Sequence, residues 1–289
     1  MAIKSIIAPV RGDGKGESVL GLALAIGRIF NSHVDVVHVH AKPEDMIPYG
    51  VPLTAAFRET ILGAAENLAH QEEDRLRKLF DAYCAARQIG TIPYNSESFP
   101  LDALSVSWEE EAGKQADVIR RAGRFCDIIV VPRPEGESDL GFNTLNAALF
   151  DVRKLTAIAP PEPVEQTGQH VAIAWNGSPE AAHAVDRALP LLTAAGEVTV
   201  LCAPDDNVQD AETAKFQRYL RLHGVESLSR PFKVSRHNIG APLLETAAKH
   251  GADMIVMGAF GSMKRRELVL GGVTEYVLEH TEIPLVMAH

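Results

Sequence analysis

Cysteine is scarce in this chain: Cys84, Cys126 and Cys202 are scattered through 289 residues. Three such residues build neither a disulfide framework nor a Cys-x-x-Cys metal motif, and the pattern fits a reducing compartment. A basic excess is also missing. Lys and Arg number 28 against 38 Asp and Glu, a net charge of −10, so no nucleic-acid surface is expected. No apolar run approaches the roughly 18 residues that a membrane span needs. The first ten residues reach Pro9 after one short apolar run and do not read as a secretory signal. Catalytic signatures such as Gly-x-Ser-x-Gly, His-Glu-x-x-His or a Cys-His pair are lacking, and no Asp or Glu pair is spaced for acid–base work. The expectation is a cytoplasmic globular protein without a dedicated catalytic constellation.

What is present is core material, with 46% hydrophobic and 23% charged residues. Ser5–Val10 reads as a strand, followed by Gly12, Gly14 and Gly16. Val19–Phe30 carries apolar residues at helical spacing (Val19, Leu22, Ala23, Ile26, Phe30), and Val34–Val39 is a second strand. Strand, Gly-rich turn, helix, strand is a βαβ unit with parallel strands. The same unit returns later. Val171–Trp175 is a strand, and Asn176-Gly177-Ser178-Pro179 is a turn. Ser178 suits an N-cap there and Pro179 the first helical position. Ala182–Leu192 is then helical and Val198–Cys202 a strand.

Val10 aligns with Trp175, an offset of 165, and Arg124–Pro132 aligns with His250–Gly258, an offset of 126. Ala148–Ala159 likewise parallels Val277–Ala288. The chain is an internal duplication with 165 − 126 = 39 extra residues in its first half. Those include a Pro- and Gly-bearing loop, Pro43–Leu53, and a long charged amphipathic helix over Thr54–Gln88. Pro160-Pro161-Glu162-Pro163, continuing to Gly168, reads as a stiff linker, which divides the chain into 1–160 and 168–289. In the second half, helices are expected at Ala211–His223, Ala241–His250 and Val273–Glu279, with strands near Ser227–Val234, at Asp253–Met257 and at Pro284–Ala288. The expected fold is two tandem, doubly wound, Rossmann-like parallel α/β sheets. Ligands in such sheets bind outside the carboxyl ends of the strands.

The segment Gly258-Ala259-Phe260-Gly261-Ser262-Met263-Lys264-Arg265-Arg266, continuing to Gly271-Gly272-Val273-Thr274, leaves a buried strand and enters a helix through a basic, glycine-punctuated loop. Phosphate binding needs close backbone approach and a helix N-terminus aimed at the anion. The competing explanation is a glycine turn with a solvated basic face. In the first half, Pro132 stands where Gly258 would be and Arg11 where Asn176 would be, so that half cannot form the same cradle. Gly12-Asp13-Gly14-Lys15-Gly16-Glu17-Ser18 lacks P-loop spacing and reads as a strand-to-helix turn, with room for a basic residue to meet an anion. His38 and His40 share a strand face, with Glu44 and Asp45 close behind. Polar residues at the sheet rim are the preferred reading over a metal site.

Gly258, Gly261 and Gly271 follow the spacing Gly-x2-Gly-x9-Gly, and in this the segment resembles the nucleotide-binding members of the universal stress protein family. The resemblance extends through the second half, from Val171-Ala172-Ile173-Ala174 to Ile283-Pro284-Leu285-Val286-Met287, and in weaker form over the first half. It implies ATP or a related adenine nucleotide, alone or with Mg²⁺. The implied contacts are Ala174, Asn176, Gly258, Gly261, Ser262, Arg265, Gly271, Gly272, Val273 and Thr274, with adenine near Leu201–Ala203. Two positions depart from the family pattern. Asn176 replaces an acidic residue, and Gly272 replaces a Ser or Thr. The resemblance also implies a pairing of domains through their final strands, within the chain as a pseudo-dimer or between chains as a homodimer. The expected function is regulatory nucleotide binding in the stress response. The alternatives are a scaffold with decayed sites and a weak ATPase.

Overall fold

The computed structural model describes residues 2–40, 42, 54–135, 140–203, 210–233, 239–259 and 272–289. The first half runs β1 (Ser5–Val10), α1 (Gly16–Phe30), β2 (His33–His40), α2 (Ala55–Ala86), β3 (Gly90–Thr91), β4 (Ser105–Ala112), α3 (Gln115–Ala122), β5 (Ile128–Pro132), α4 (Leu140–Asn146) and β6 (Leu155–Ala159). The second runs β7 (His170–Trp175), α5 (Pro179–Ala194), β8 (Glu197–Cys202), α6 (Asp210–Leu222), β9 (Leu228–Pro231), α7 (Gly240–Lys249), β10 (Met254–Gly258), α8 (Gly272–His280) and β11 (Leu285–Ala288).

Local chemistry accounts for these boundaries. Thr54 caps α2, its hydroxyl accepting the Phe57 N–H, so the helix starts one residue after the position at which its periodicity begins. Asn31 ends α1 in the left-handed region (φ 52°), its N–H returning to Gly27 O. Ser178 caps α5 with Pro179 at the first turn, as the sequence indicates. Two features escape a sequence reading. Strand β4 carries Glu109-Glu110-Glu111, a run that looks like a solvated loop, yet it pairs with β2 along its whole length. Helix α4 continues into a π-helical turn, Ala147–Val152, closed by Arg153 at φ 57°.

The eleven strands among the described residues form a single sheet in the order β3-β4-β2-β1-β5-β6-β11-β10-β7-β8-β9. Every neighbouring pair is parallel except β6 with β11. Registers reproduce the duplication. Ile6 faces Ile128 as Val171 faces Met254, and Val130 faces Ala157 as Val256 faces Val286. At the antiparallel junction Ala157 lies opposite Val286, its own repeat equivalent, flanked by Ile158–Leu285 and Thr156–Met287. A local twofold axis therefore passes through that pair. All six residues have 0% exposure.

Helices cover both faces. On one, Leu22 and Ile26 of α1, Phe80 of α2, Val185 and Leu191 of α5 and Leu220 of α6 pack on Ile6, Val34, Val171 and Val256. On the other, Ile119 of α3, Leu145 of α4, Leu243 of α7 and Val277 of α8 pack on Ile7, Ile129, Ile255 and Leu285. Alternate residues of each strand thus feed opposite layers. Each such side chain contributes about 1.5–3 kcal/mol on burial.

A repeated carboxylate fixes where each half begins. Asp253, just before β10, accepts the N–H groups of Gly168 (2.9 Å), Gln169 (2.9 Å) and His170 (3.1 Å). Its counterpart Asp127 accepts those of Lys4 (2.7 Å) and Ser5 (3.0 Å). Charged acceptors make the stronger backbone hydrogen bonds. Asp253→Ala should cost about 2–4 kcal/mol in urea unfolding, and Asp127→Ala less, since two donors are left unpaired there instead of three.

Candidate functional site

The crevice lies where β7 and β10 end side by side, with Ala174 opposite Met257 in the ladder. Beyond β7 the chain turns at once into α5. Asn176 Oδ1 accepts the Ser178 N–H (3.1 Å), and Ser178 Oγ accepts the Ala181 N–H (3.1 Å). Gly177 supplies the left-handed backbone this turn needs (φ 73°). The oxygen of Asn176 is thereby committed to the turn. Its side chain is solvent-exposed, so the NH₂ end is the part placed to meet a ligand. Trp175 turns to the other face and stacks on Phe216 with centroids 3.7 Å apart and rings 1° from parallel. Its Nε1 is buried without a partner. Cys202 of β8 stands beside Trp175, and Leu201 is buried, which puts the end of β8 next to the crevice.

Gly258 ends β10 against the first turn of α5. A Cβ there would stand 2.5 Å from Ala181 N and 2.6 Å from the carbonyl carbon of Glu180. Close helix–strand packing therefore demands glycine at this position before any ligand is considered. Gly272 opens α8 and is exposed, and among the described residues nothing lies within 4 Å of a Cβ built on it. Val273 is half-buried and Thr274 is 6% exposed in the first turn of the same helix. Gly261, Ser262, Arg265 and Gly271 lie outside the described residues. Of the sequence-derived set, Ala174, Asn176 and Gly258 thus gather at the strand ends, and Gly272, Val273 and Thr274 begin α8.

The equivalent crevice of the first half is filled by its own side chains. Arg11 Nε pairs with Asp13 (2.6 Å), while Lys15 Nζ donates to Arg133 O (3.1 Å) and lies 3.3 Å from Glu135. Helix α2, which follows β2 as the shorter α6 follows β8, brings Glu72 over Gly12, where a Cβ would fall 1.7 Å from Oε1. The P-loop-like stretch also has internal partners, Ser18 Oγ donating to Pro161 O (2.7 Å).

Other candidates resolve into structural roles. His38 is fully buried, with Nδ1 2.5 Å from Glu110 Oε2, and Trp108 donates to the other oxygen of that carboxylate. Glu44 and Asp45 lie outside the described residues, and among those described no three potential ligands are grouped to hold a metal ion. Burial pushes the Cys84 thiol up to about 11 and that of Cys126 up to about 12, so neither offers a thiolate at neutral pH. A Ser105–His33–Asp35 chain, at 2.9 and 3.0 Å, has the outline of a nucleophile relay that the sequence did not reveal. Ser105 is 1% exposed and begins β4, at the amino end of the strands and away from the crevice, so the chain is a buried polar ladder.

The universal stress protein family model matches residues 168–289. The C-terminal half is a universal stress protein domain. The whole chain shares its fold with a crystal structure of a universal stress protein from Archaeoglobus fulgidus DSM 4304. The TM-score is 0.68 at 15% identity, covering 98% of this chain and 95% of that one. A functionally unknown protein from Pseudomonas aeruginosa PAO1 is similar with a TM-score of 0.56 at 14% identity, covering 99% and 92%. A putative universal stress protein from Pseudomonas aeruginosa UCBPP-PA14 gives 0.53 at 15% identity, covering 99% and 93%. At these identities the likeness shows the universal stress protein fold over both halves. No curated protein matches the sequence. No helix among the described residues is long and apolar enough to cross a membrane.

The packing role of Gly258 can be separated from any ligand. Gly258→Ala should lower stability by about 1–3 kcal/mol in thermal denaturation without added nucleotide, because backbone and not a mobile side chain blocks the new methyl group.

Proposed function

We propose that this universal stress protein is a regulatory adenine-nucleotide-binding protein that takes one ATP per chain in its C-terminal half. The observation that carries the proposal is the convergence of the end of β10 with the Asn176 turn, joined to the glycine-spaced basic sequence that stands between β10 and α8. The amino end of α8 offers N–H groups that have no partner within the helix and a positive dipole end for phosphates. Thr274 adds a hydroxyl in the same turn, and the NH₂ of Asn176 stands at the nucleoside side. Gly258, Gly261, Ser262, Arg265, Gly271, Gly272 and Val273 complete the proposed cradle, with Ala174 beneath it. Mg²⁺, where it accompanies ATP, would arrive on the phosphates. The filled crevice of the first half supports a single site per chain. The β6–β11 pairing supports an intramolecular pseudo-dimer, in which the two halves meet as two separate chains would. Free cysteines support action in the cytoplasm.

A second reading, a scaffold whose site has decayed, draws on Gly258, whose glycine is already explained by packing against α5. Titration calorimetry with ATP separates the two. The parent should bind one ATP per chain, and Gly261→Val should abolish binding by blocking backbone approach. Gly272→Ser, for which the structure leaves space, should tighten binding about tenfold by adding a hydrogen bond to a charged group. Two sites per chain, or a Gly261→Val variant that binds like the parent, would overturn the site. No binding by the parent would leave the scaffold.

A further inference from the structure

The two halves touch outside the strand seam at a place that bears on α8. Arg133 follows β5 in the N-terminal half, yet its Nη1 donates to Thr281 O at 2.9 Å. Thr281 is the first residue past the carboxyl end of α8, and the neighbouring Glu282 carboxylate lies 4.0 Å from the guanidinium. The backbone of Arg133 is held from two sides. Its N–H donates to Ala159 O at the end of β6 (3.1 Å), and its carbonyl accepts Lys15 Nζ (3.1 Å). Its side chain is only 21% exposed. One reciprocal contact runs the other way. His289, just past β11, packs edge-on against Phe150 of the first half, with centroids 4.6 Å apart, while its Nδ1 bonds Ala259 O (3.0 Å).

The last carbonyls of a helix lack partners within it and carry the negative end of its dipole. A guanidinium there satisfies a carbonyl and favours the helix. Helix α8 has nine residues, so its two ends are about 13 Å apart and it forms little more than two turns. A helix this short does not hold itself, and tertiary contacts set its position. Thr281 is 1% exposed and locked into the turn, its N–H on Val277 O (2.9 Å) and its hydroxyl on Ile283 O (2.8 Å). A tie to Thr281 is therefore a tie to the helix.

We infer that Arg133 is an interdomain positioning residue, through which the N-terminal half seats α8 and so tunes the nucleotide site at the other end of that helix. The inference rests on the nucleotide reading of that site. It gives the duplicated half a task that its filled crevice leaves open: the N-terminal half regulates one site and does not add a second. Lys15 extends the tie into that crevice, linking its packing to α8 through the Arg133 carbonyl.

The test uses the full-length chain with Arg133→Ala, Arg133→Lys and Lys15→Ala, read by amide hydrogen exchange over residues 272–284 without nucleotide and by ATP titration. Arg133→Ala should speed exchange at the carboxyl end of α8 by about two- to fivefold, and weaken ATP binding by about the same factor, with β1 and α3 unchanged. Arg133→Lys retains the cation and should recover part of both effects. Lys15→Ala, which removes the donor to the Arg133 carbonyl, should move both in the same direction by less. Unchanged exchange in Arg133→Ala would overturn the tie. Faster exchange with unchanged ATP affinity would overturn the control of the site. A parent that binds no ATP would remove the nucleotide reading and with it the control of the site, while the exchange arm still decides whether Arg133 holds α8.

Discussion

Each half of this protein ends on a strand with an open edge, and the antiparallel pairing of β6 with β11 closes both edges at once. An exposed edge of that kind carries a row of unpaired peptide groups and invites uncontrolled association. Pairing the two turns them into the centre of an eleven-stranded sheet, with Ala157 opposite Val286 on a local twofold axis and no exposure along the seam. The remaining contacts between halves follow from this one. Arg133 lies just beyond β5, the strand next to β6, and His289 just beyond β11, which puts both close enough to the axis to reach across it. The linker is tied down as well. Ser18 donates to Pro161 O, and Gly21 of α1 lets Val164 pass, since a Cβ there would meet its carbonyl oxygen at 2.9 Å. Arg87 lies over the Tyr83 ring and bonds Glu165, holding that carboxyl below its usual range. This last tie is present at neutral pH and is lost as pH falls through the lowered value. Between exposed partners it contributes less than about 1 kcal/mol.

The two halves use one topology for different ends. In the second, the end of β7 leads into the Asn176 turn, with Asn176 in an Asx-type bond, and Gly272 leads into α8. In the first, Asp13 makes the same local bond, its Oδ1 accepting the Lys15 N–H (3.0 Å). There Arg11 pairs with Asp13, Lys15 lies beside Glu135, and Glu72 of α2 stands over Gly12. Helix α2 therefore does more than lengthen the chain. It covers β2 and β4 through Phe80 and Trp108, whose rings are 5.0 Å apart, and reaches the mouth of the crevice.

Much of this was legible in the sequence because apolar periodicity and repetition are local signals. The offsets of 165 and 126 reappear as ladder registers, and Ser178–Pro179 starts α5 where capping chemistry puts it. Strand β4 was not legible, because two of its glutamates are matched by side chains that only the fold brings to them: Glu110 by His38 of β2 and by Trp108 of its own strand, and Glu111 by Arg121 of α3. Nor was the reason for Gly258. In sequence it belongs to a phosphate-loop spacing, while in the structure it first answers to the backbone of Glu180 and Ala181, about 80 residues away in the chain. The Arg133 contact was equally hidden, since it depends on which strands meet at the seam.

The chain contains two tryptophans, and the fold places one in each half: Trp108 on β4 against Phe80 and Trp175 on β7 against Phe216. Trp108→Phe and Trp175→Phe therefore leave one fluorescent reporter per half in an otherwise intact protein. Urea unfolding of the two variants, corrected for any shift seen by circular dichroism, measures directly whether the seam makes one cooperative unit. A seam that joins the halves predicts coincident transitions with equal midpoints and slopes. Two separate transitions, with one half unfolding while the other persists, would contradict it.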